Sequence, residues 1–334
     1  MRVLAIESSC DETAVAIVEA PRTVHADVLF SQVALHRPYG GIVPEIASRA
    51  HAERIAGLLD QALAASGFGL ADIDLVAATR GPGLLGALLV GMNVAQGLAL
   101  GSGKPFIGVN HLHGHLLSPD LEQPMQFPTL VLLVTGGHTA LYRLDSDVDI
   151  RLLRRTADDA VGEAFDKIAK MIGLPYPGGP EIERLATEGN ADAWAFPIPR
   201  PRDPQAVSLS GLKTAVRREL EAGSAGDRER QADIAAAFQR TVAELLAGVI
   251  GQAAREHPDI ETVWVVGGVA RNRAIRQALA EVAAACDLRL GAPSPRLCTD
   301  NAVMIARAAM ACWHHRGPDP LDCQPRSRWE VGTW

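Results

Sequence analysis

Short apolar runs recur along the first third of the chain. RVLAIES, TAVAIVEA, ADVLFSQV, LVAATRG and FIGVNH are rich in Val, Ile, Leu and Ala and stop at Gly, Pro or polar residues, which predicts strands. Between them the period lengthens. In EIASRAHAERIAGLLDQALAAS the apolar positions Ile46, Ala50, Ile55, Leu58, Leu59 and Ala62 share one helical face, and Pro44 stands at the entrance, where no amide N–H is needed. The same order then returns as TLVLLVTGG, a turn at His138 and Thr139, ALYRL and IRLLRRT, followed by helices and the strand ETVWVVGGVARN. Each half opens with a strand-turn-strand hairpin (AIESSCDETAVAIV, LLVTGGHTALYRL), and a later buried strand runs into a glycine turn (LVAATRGPG, VWVVGGVARN). Residue identity between the halves is slight, so the repeat is one of elements. An α/β fold of two duplicated lobes follows.

With 334 residues the chain exceeds the usual size of one hydrophobic core, in keeping with two lobes. The expected division is 1–110 with 301–334 as the first lobe and 111–300 as the second. The segment NAVMIARAAMACWHH would form a helix returning to the first lobe, with N-cap chemistry at Thr299-Asp300. A run of four prolines in AFPIPRPRDPQ, residues 195–205, reads as a surface excursion. Residues 84–100, LLGALLVGMNVAQGLAL, are broken by Asn93, Gln96 and three glycines, and predict a buried core helix rather than a membrane span.

Net charge is -7 and the aromatic share 4%, which argues against a self-sufficient nucleic-acid binder; such a substrate would call for a basic partner. Arg151, Arg154 and Arg155, or Lys213, Arg217 and Arg218, are the candidate basic surface, with ordinary solvated charge as the alternative. The five cysteines include no CxxC pair, and acidic residues in MRVLAIESSCDE come too early for a signal peptide, so a cytoplasmic protein with reduced thiols is expected.

Candidate chemistry lies where the strands end. Hairpins at Ser8, Ser9, Asp11 and Thr13 and, with two glycines, at Thr135, Gly136, Gly137, His138 and Thr139 would present backbone N–H groups to a phosphate or carboxylate across a cleft. In NHLHGHLLSP, His111 and His115 are four residues apart and share a helical face, whereas His113 points elsewhere. That spacing serves either one metal ion or mere backbone hydrogen bonding. Leu112 occupies the place where a zinc protease carries its catalytic glutamate, which disfavours peptide hydrolysis. Asp300 is a candidate third ligand, giving two imidazoles and a carboxylate suited to iron; helix capping is its alternative role. DDAVGEAFDKIAKMIGLPYPGGP places Asp166 on a mostly apolar helix face before a rigid turn.

IESSCDET, GGIVPEIASRAH, RGPGLLGALLVG, NHLHGHLLSP, LLVTGGHTALY, DDAVGEAFDKIAKMIGLPYPGGP, SGLKTAV, GGVARN and TDNAVMIA together resemble the tRNA N6-adenosine threonylcarbamoyltransferase family, in order from Ile6 to about Ala308. The resemblance implies the duplicated, RNase H-like lobes of the actin, sugar kinase and heat-shock ATPase superfamily. It also implies transfer of threonylcarbamoyl from threonylcarbamoyl-adenylate to N6 of the adenosine next to the anticodon, in tRNAs reading codons that begin with adenosine, with release of AMP. Metal ligands carried over are His111, His115 and Asp300, at the interlobe cleft, with Fe(2+) the expected ion and zinc or another divalent ion the alternative. Substrate contacts fall on Val134, Thr135, Gly136, Gly137, His138, Asp166, Gly179, Glu183 and Asn272, and Asp11 or Glu12 is placed near the reacting amine. Implied partners are tRNA, an inactive paralogous subunit and a small P-loop ATPase, with no membrane. Two positions depart from the family: VSLSG lacks aromatic residues often found before SGLKTAV, and Glu183 stands where aspartate is common. The rival readings are a small-molecule kinase of the same superfamily, which needs no histidine pair, and a nucleotide-dependent scaffold without transfer chemistry.

Overall fold

The computed structural model describes residues 1–198, 203, 205–222 and 227–333; residues 199–202 and 204 of the proline-rich excursion expected at 195–205 lie outside the described residues. Contacts divide the chain into two compact units. One comprises Met1–Met125, Asp145–Ile150 and Thr299–Trp334, and the other Gln126–Leu144 and Arg151–Cys298.

The first unit is built on strands β1 (Arg2–Glu7), β2 (Glu12–Glu19), β3 (Thr23–Ser31), β4 (Leu75–Gly81) and β5 (Phe106–Asn110), in the sheet order β3, β2, β1, β4, β5. The hairpin strands pair antiparallel, while β4 and β5 run parallel to β1. Central strands are apolar on both faces because helices cover both, and only the edge strand β3 mixes exposed and buried positions. The helices are α1 (Val33–His36), α2 (Pro44–Ser66), α3 (Leu85–Ser102) and α4 (His111–Leu117). Helix α2 starts at Pro44 as expected, buries Ala50, Ile55, Leu58 and Ala62, and ends where Gly67 turns left-handed at φ 71°.

Helix α3 covers the apolar stretch expected to be fully buried, and here the structure differs. Ala87, Leu88, Met92, Ala95 and Ala99 pack inward, while Leu85, Leu89 and Leu100 are exposed. The sheet can cover only one side of a helix, and a stretch that is apolar all round does not say which side that is. By length and composition, α3 and a second helix, Arg228–Glu256, are apolar enough to cross a membrane; 72% of the apolar window of the second is buried inside the structure, against 33% for α3.

The second unit repeats the plan. Strands β6 (Thr129–Val134), β7 (Thr139–Leu144), β8 (Ile150–Thr156), β9 (Ala206–Val207), β10 (Thr262–Val266) and β11 (Arg289–Gly291) form a sheet in the order β11, β10, β6, β7, β8, β9. Read from β8 to β11 this matches β3 to β5, with β9 added at the edge. The two strands that the hydrophobic pattern missed, β9 and β11, are the shortest, at two and three residues. Helices α5 (Val161–Met171), α6 (Gly178–Ala186), α7 (Ser210–Glu221), α8 (Arg228–Glu256), α9 (Arg273–Ala285) and α10 (Pro295–Cys298) bury a core in which Phe165 and Phe238 meet edge to face at 5.0 Å.

The chain then returns to the first unit as α11 (Ala302–Arg316), packed on α4, β1, β2 and β5. Its alanine-rich surface permits close approach, and Ala302 to Ala306 and Ala308 to Cys312 are buried. The histidine helix α4, placed beyond residue 110 in the second lobe by the sequence, groups with the first unit because α11 and β5 flank it. The segment after α11 docks on the ends of β4 and β5. Arg326 N–H donates to the Arg80 carbonyl at 2.7 Å, the Asp319 carboxylate accepts from Gly108 N–H at 2.8 Å, and a side chain at Gly81 would collide with the Arg326 carbonyl. None of the five cysteines forms a disulfide; Cys298, Cys312 and Cys323 are buried.

A second polar anchor is Asp120. It accepts from Arg307 at 2.7 Å, Arg22 at 2.9 Å and the Met125 N–H at 2.9 Å, joining α11 and the β2-β3 turn to the chain beyond α4. Burial would raise its carboxyl pKa, but these donors outweigh burial and hold it below the usual 3.8. A depressed carboxyl stabilises the fold above pH 3.8 and loses that contribution as pH falls through the folded value. Asp120→Asn is therefore expected to cost about 2 kcal/mol at pH 7. In urea melts, the gap between variant and parent should narrow as pH drops below 3.8.

Candidate metal centre

Strand β5 delivers the chain to Asn110, whose side-chain oxygen accepts from the N–H groups of Leu112 (2.9 Å) and His113 (3.2 Å) and so starts α4. The Asn110 amide also donates to the Trp329 carbonyl at 3.2 Å, which ties the helix start to the C-terminal segment. One turn apart, His111 and His115 present their rings to each other at 4.8 Å and 89°. Both are buried. His113 leaves the opposite side, its Nε2 2.7 Å from the Asp147 carbonyl and its Nδ1 3.6 Å from the Cys312 sulfur, and burial lowers its pKa to about 4.

Asp300 meets this pair. Its Oδ1 lies 3.0 Å from Nε2 of His115 and 3.5 Å from Nε2 of His111. The N-cap role that the sequence offered Asp300 belongs to its neighbour: the Asn301 side chain accepts from Met304 N–H at 2.8 Å. With the helix capped by Asn301, the Asp300 carboxylate is released to the histidines. One ligand atom from each of the three residues lies within 4.8 Å of the others. Two imidazole nitrogens and a carboxylate oxygen fit a divalent transition ion, leaving further coordination positions to other groups.

More carboxylates surround the site. Glu7 is fully buried, with Oε2 3.0 Å from Nδ1 of His111. Asp11 and Glu12 follow in the hairpin turn, and the charge of Asp300 acts on both. Burial raises the Asp11 carboxyl, and burial together with the Asp11 charge raises Glu12 well above the usual range. Burial would lower the His111 pKa, but the Glu7 and Asp300 carboxylates outweigh it and push the pKa well up; for His115 burial wins and the pKa falls. Four carboxylates around two imidazoles leave an excess of negative charge suited to a cation. The hairpin itself is braced by His51, whose Nδ1 lies 2.7 Å from the Thr13 hydroxyl and whose Nε2 lies 3.0 Å from the Cys10 carbonyl.

Sequence reasoning passed over Glu7. Its signal was available: it is the one charged residue after the apolar run VLAI, at a position where a strand buried on both faces admits no unpaired charge.

The second unit holds the expected substrate contacts. Val134 ends β6 and Thr135, Gly136, Gly137 and His138 form the turn to β7, closed by Thr135 N–H donating to the His138 carbonyl at 2.8 Å and His138 N–H donating to the Thr135 hydroxyl at 2.9 Å. Gly136 and Gly137 are exposed, with open space where a side chain would stand. Helix α5 begins directly behind them. Val161 N–H donates to the Thr139 hydroxyl at 2.8 Å, and a Cβ on Gly162 would come within 2.7 Å of both the Gly136 Cα and the Thr135 carbonyl.

The remaining candidates already serve the fold. Asp166 accepts from Gly178 N–H at 2.6 Å, Glu183 accepts from Arg273 N–H at 2.8 Å at the start of α9, and Asn272 caps α9 through Ile275 N–H at 3.0 Å. The Asn272 amide donates to Gln239 at 2.7 Å. Gln239 in turn lines a cavity of about 390 Å³ bordered by Ala186, Gly189, Arg240, Gln277 and Glu281. Gly179 stands open beside the buried Gly178. Of the candidate basic residues, Arg154 is buried and held by Glu256 at 2.6 Å, and Lys213 pairs with Asp159 at 2.9 Å, so neither is a free surface cation.

The class of protein follows from this architecture and from comparison with solved structures. HypF from T. kodakarensis matches 95% of the chain with a TM-score of 0.66 at 16% identity, the chain spanning about half (48%) of HypF. Component A of the (R)-2-hydroxyglutaryl-CoA dehydratase of Acidaminococcus fermentans matches 93% of the chain and is itself covered over 99%, with a TM-score of 0.54 and 16% identity. The chain shares its fold with both of these proteins. The family model for TsaD, tRNA N6-adenosine threonylcarbamoyltransferase, matches residues 23–307. Curated relatives bearing that name are 52% identical over 92% of the chain and 90% of the relative (Geobacter sp. strain M21) and 47% identical over 99% and 95% (Brucella anthropi). The chain belongs to the tRNA N6-adenosine threonylcarbamoyltransferase family, a family of acyl-type transferases.

Two substitutions check the local geometry. Asn301→Ala is expected to cost about 1 kcal/mol in urea melts, as loss of a helix cap does, and to weaken metal binding in the same sample, because the uncapped α11 N–H groups then compete for the Asp300 carboxylate. Gly162→Ala should cost about 1–3 kcal/mol by overpacking and shift the amide resonances of Thr135 to His138 in NMR spectra.

Proposed function

We propose that the chain transfers the threonylcarbamoyl group of threonylcarbamoyl-adenylate to the N6 amine of the adenosine next to the anticodon, in tRNAs reading codons that begin with adenosine. The observation that carries this reading is the meeting of Asp300 with His111 and His115 in a member of this family. The adenine amine is a poor nucleophile because its lone pair is delocalised, so the acyl group arrives activated as a mixed anhydride. Its nitrogen forms the new bond to the carbamoyl carbon, the bond from that carbon to the phosphate oxygen breaks, and AMP leaves.

His111, His115 and Asp300 would hold one divalent ion, Fe(2+) by family resemblance. When bound, the ion supplies positive charge for the donor's carbonyl or its threonyl carboxylate. The turn from Val134 through His138, open at Gly136 and Gly137, supplies backbone N–H groups to the phosphate or to charge developing on the carbonyl. Asp166, Gly179, Glu183 and Asn272 shape the donor's surroundings from their helix ends. Glu12 or Asp11 accepts the amine proton, and burial, which raises both carboxyls, makes either a stronger base than a solvated carboxylate.

We assign the protein to the cytoplasm and to an assembly with tRNA, an inactive paralogous subunit and a small P-loop ATPase. A net charge of -7 leaves much of the phosphate contact to partners, and the exposed Leu85, Leu89 and Leu100 of α3 favour a protein contact there.

Depleting the protein in its host should remove threonylcarbamoyladenosine from tRNA hydrolysates analysed by mass spectrometry; unchanged levels refute the assignment. His111→Ala should lower transfer at least about 100-fold and abolish stoichiometric metal, since the ion contributes several kcal/mol. Retention of both would remove His111 from the ligand set.

A further inference from the structure

Glu7 ends β1, and its carboxylate is fully buried. Three donors face it. Ser9 N–H donates to Oε1 at 2.5 Å, the Thr79 hydroxyl donates to Oε2 at 2.5 Å, and Nδ1 of His111 lies 3.0 Å from the same Oε2. An ionised carboxylate only accepts, so the His111 nitrogen facing it carries hydrogen. A neutral imidazole has one N–H, and with that hydrogen on Nδ1 the lone pair sits on Nε2, the atom turned to Asp300. His115 has no such backing: its Nδ1 is buried with no hydrogen-bond partner among the described residues.

We infer that Glu7 is the positioning residue of the metal centre, holding His111 in the Nδ1–H tautomer so that Nε2 is the ligand atom. The inference rests on the reading of His111, His115 and Asp300 as metal ligands. It makes His111 the ligand backed by a carboxylate and leaves the Nδ1 side of His115 held by packing alone. Carboxylate backing of this kind raises ligand basicity and fixes ring orientation. Thr79 on β4 and Ser9 in the hairpin hold Glu7 itself, so the first sheet's central strands set the orientation of one ligand.

Glu7→Gln tests the idea because it keeps shape and reverses polarity. The amide oxygen must stay on the Ser9 N–H, which leaves the NH2 where Oε2 stood, facing Thr79 and His111. That NH2 can only donate, so Nδ1 of His111 becomes an acceptor and the ring proton moves to Nε2, the ligand atom. Optical titration of the metal-free, full-length chain with cobalt(II) is expected to show roughly 10–100-fold weaker binding for Glu7→Gln, the range seen when such backing is lost. Nitrogen NMR of the metal-free chains, at a pH high enough for the His111 ring to be neutral, should show the Nε2–H tautomer in the variant and the Nδ1–H tautomer in the parent. Thr79→Val, isosteric and outside the ligand set, loosens Glu7 and should weaken cobalt binding several-fold, which keeps the test open if Glu7→Gln folds poorly. Parent-like cobalt affinity in both variants with unchanged His111 nitrogen shifts overturns the role of Glu7. If the parent chain binds cobalt no more tightly than His111→Ala, the metal reading itself fails, and the inference with it.

Discussion

One carboxylate oxygen, Oδ1 of Asp300, joins parts of the first unit that are 185 residues apart in sequence. It meets His115 and His111 only because α11 returns to lie along α4, and because Asn301 caps α11 in its place. Burying that carboxylate would be costly alone. Two imidazoles beside it, with Glu7 behind one of them, satisfy its hydrogen bonding but leave carboxylate charge in excess, and the natural counterpart of that excess is a cation.

The two halves use the same hairpin for opposite chemistry. The turn between β1 and β2 gathers acidic side chains, with Glu7 before it and Asp11 and Glu12 after it. The turn between β6 and β7 replaces them with Thr135, Gly136, Gly137 and His138, where exposed backbone takes the place of side-chain charge. A turn offers amide N–H groups by default, and carboxylates next to it convert an anion-seeking surface into a cation-seeking one.

Polar side chains accept from the N–H groups at helix starts throughout the second unit. Asn272 caps α9 and orders Gln239, Glu183 sits at the α9 N-terminus, and Asp166 holds the start of α6. Helix termini leave N–H groups in need of acceptors, so the same side chains that stabilise the helices stand beside any ligand drawn to those ends. The Glu183 side chain is long enough to reach from α6 to the Arg273 N–H at 2.8 Å.

The hydrophobic pattern alone determined the long strands, the helix at Pro44, the repeat of elements and the histidine pair on one helical face, because strand and helix periods are local properties of neighbouring residues. It missed β9 and β11, too short to show a period, and it could not say that α3 buries one face and exposes Leu85, Leu89 and Leu100. Tertiary structure decided the rest of the site. Whether Asp300 capped a helix or met His111, whether Glu7 was a stray charge or a partner for an imidazole, and whether Arg154 was surface or an ion pair with Glu256 all depended on residues about 100 or more positions away. Spacing along a chain records which residues can share a face, whereas a carboxylate's role is set by the charge that folding brings to within 3 to 4 Å of it.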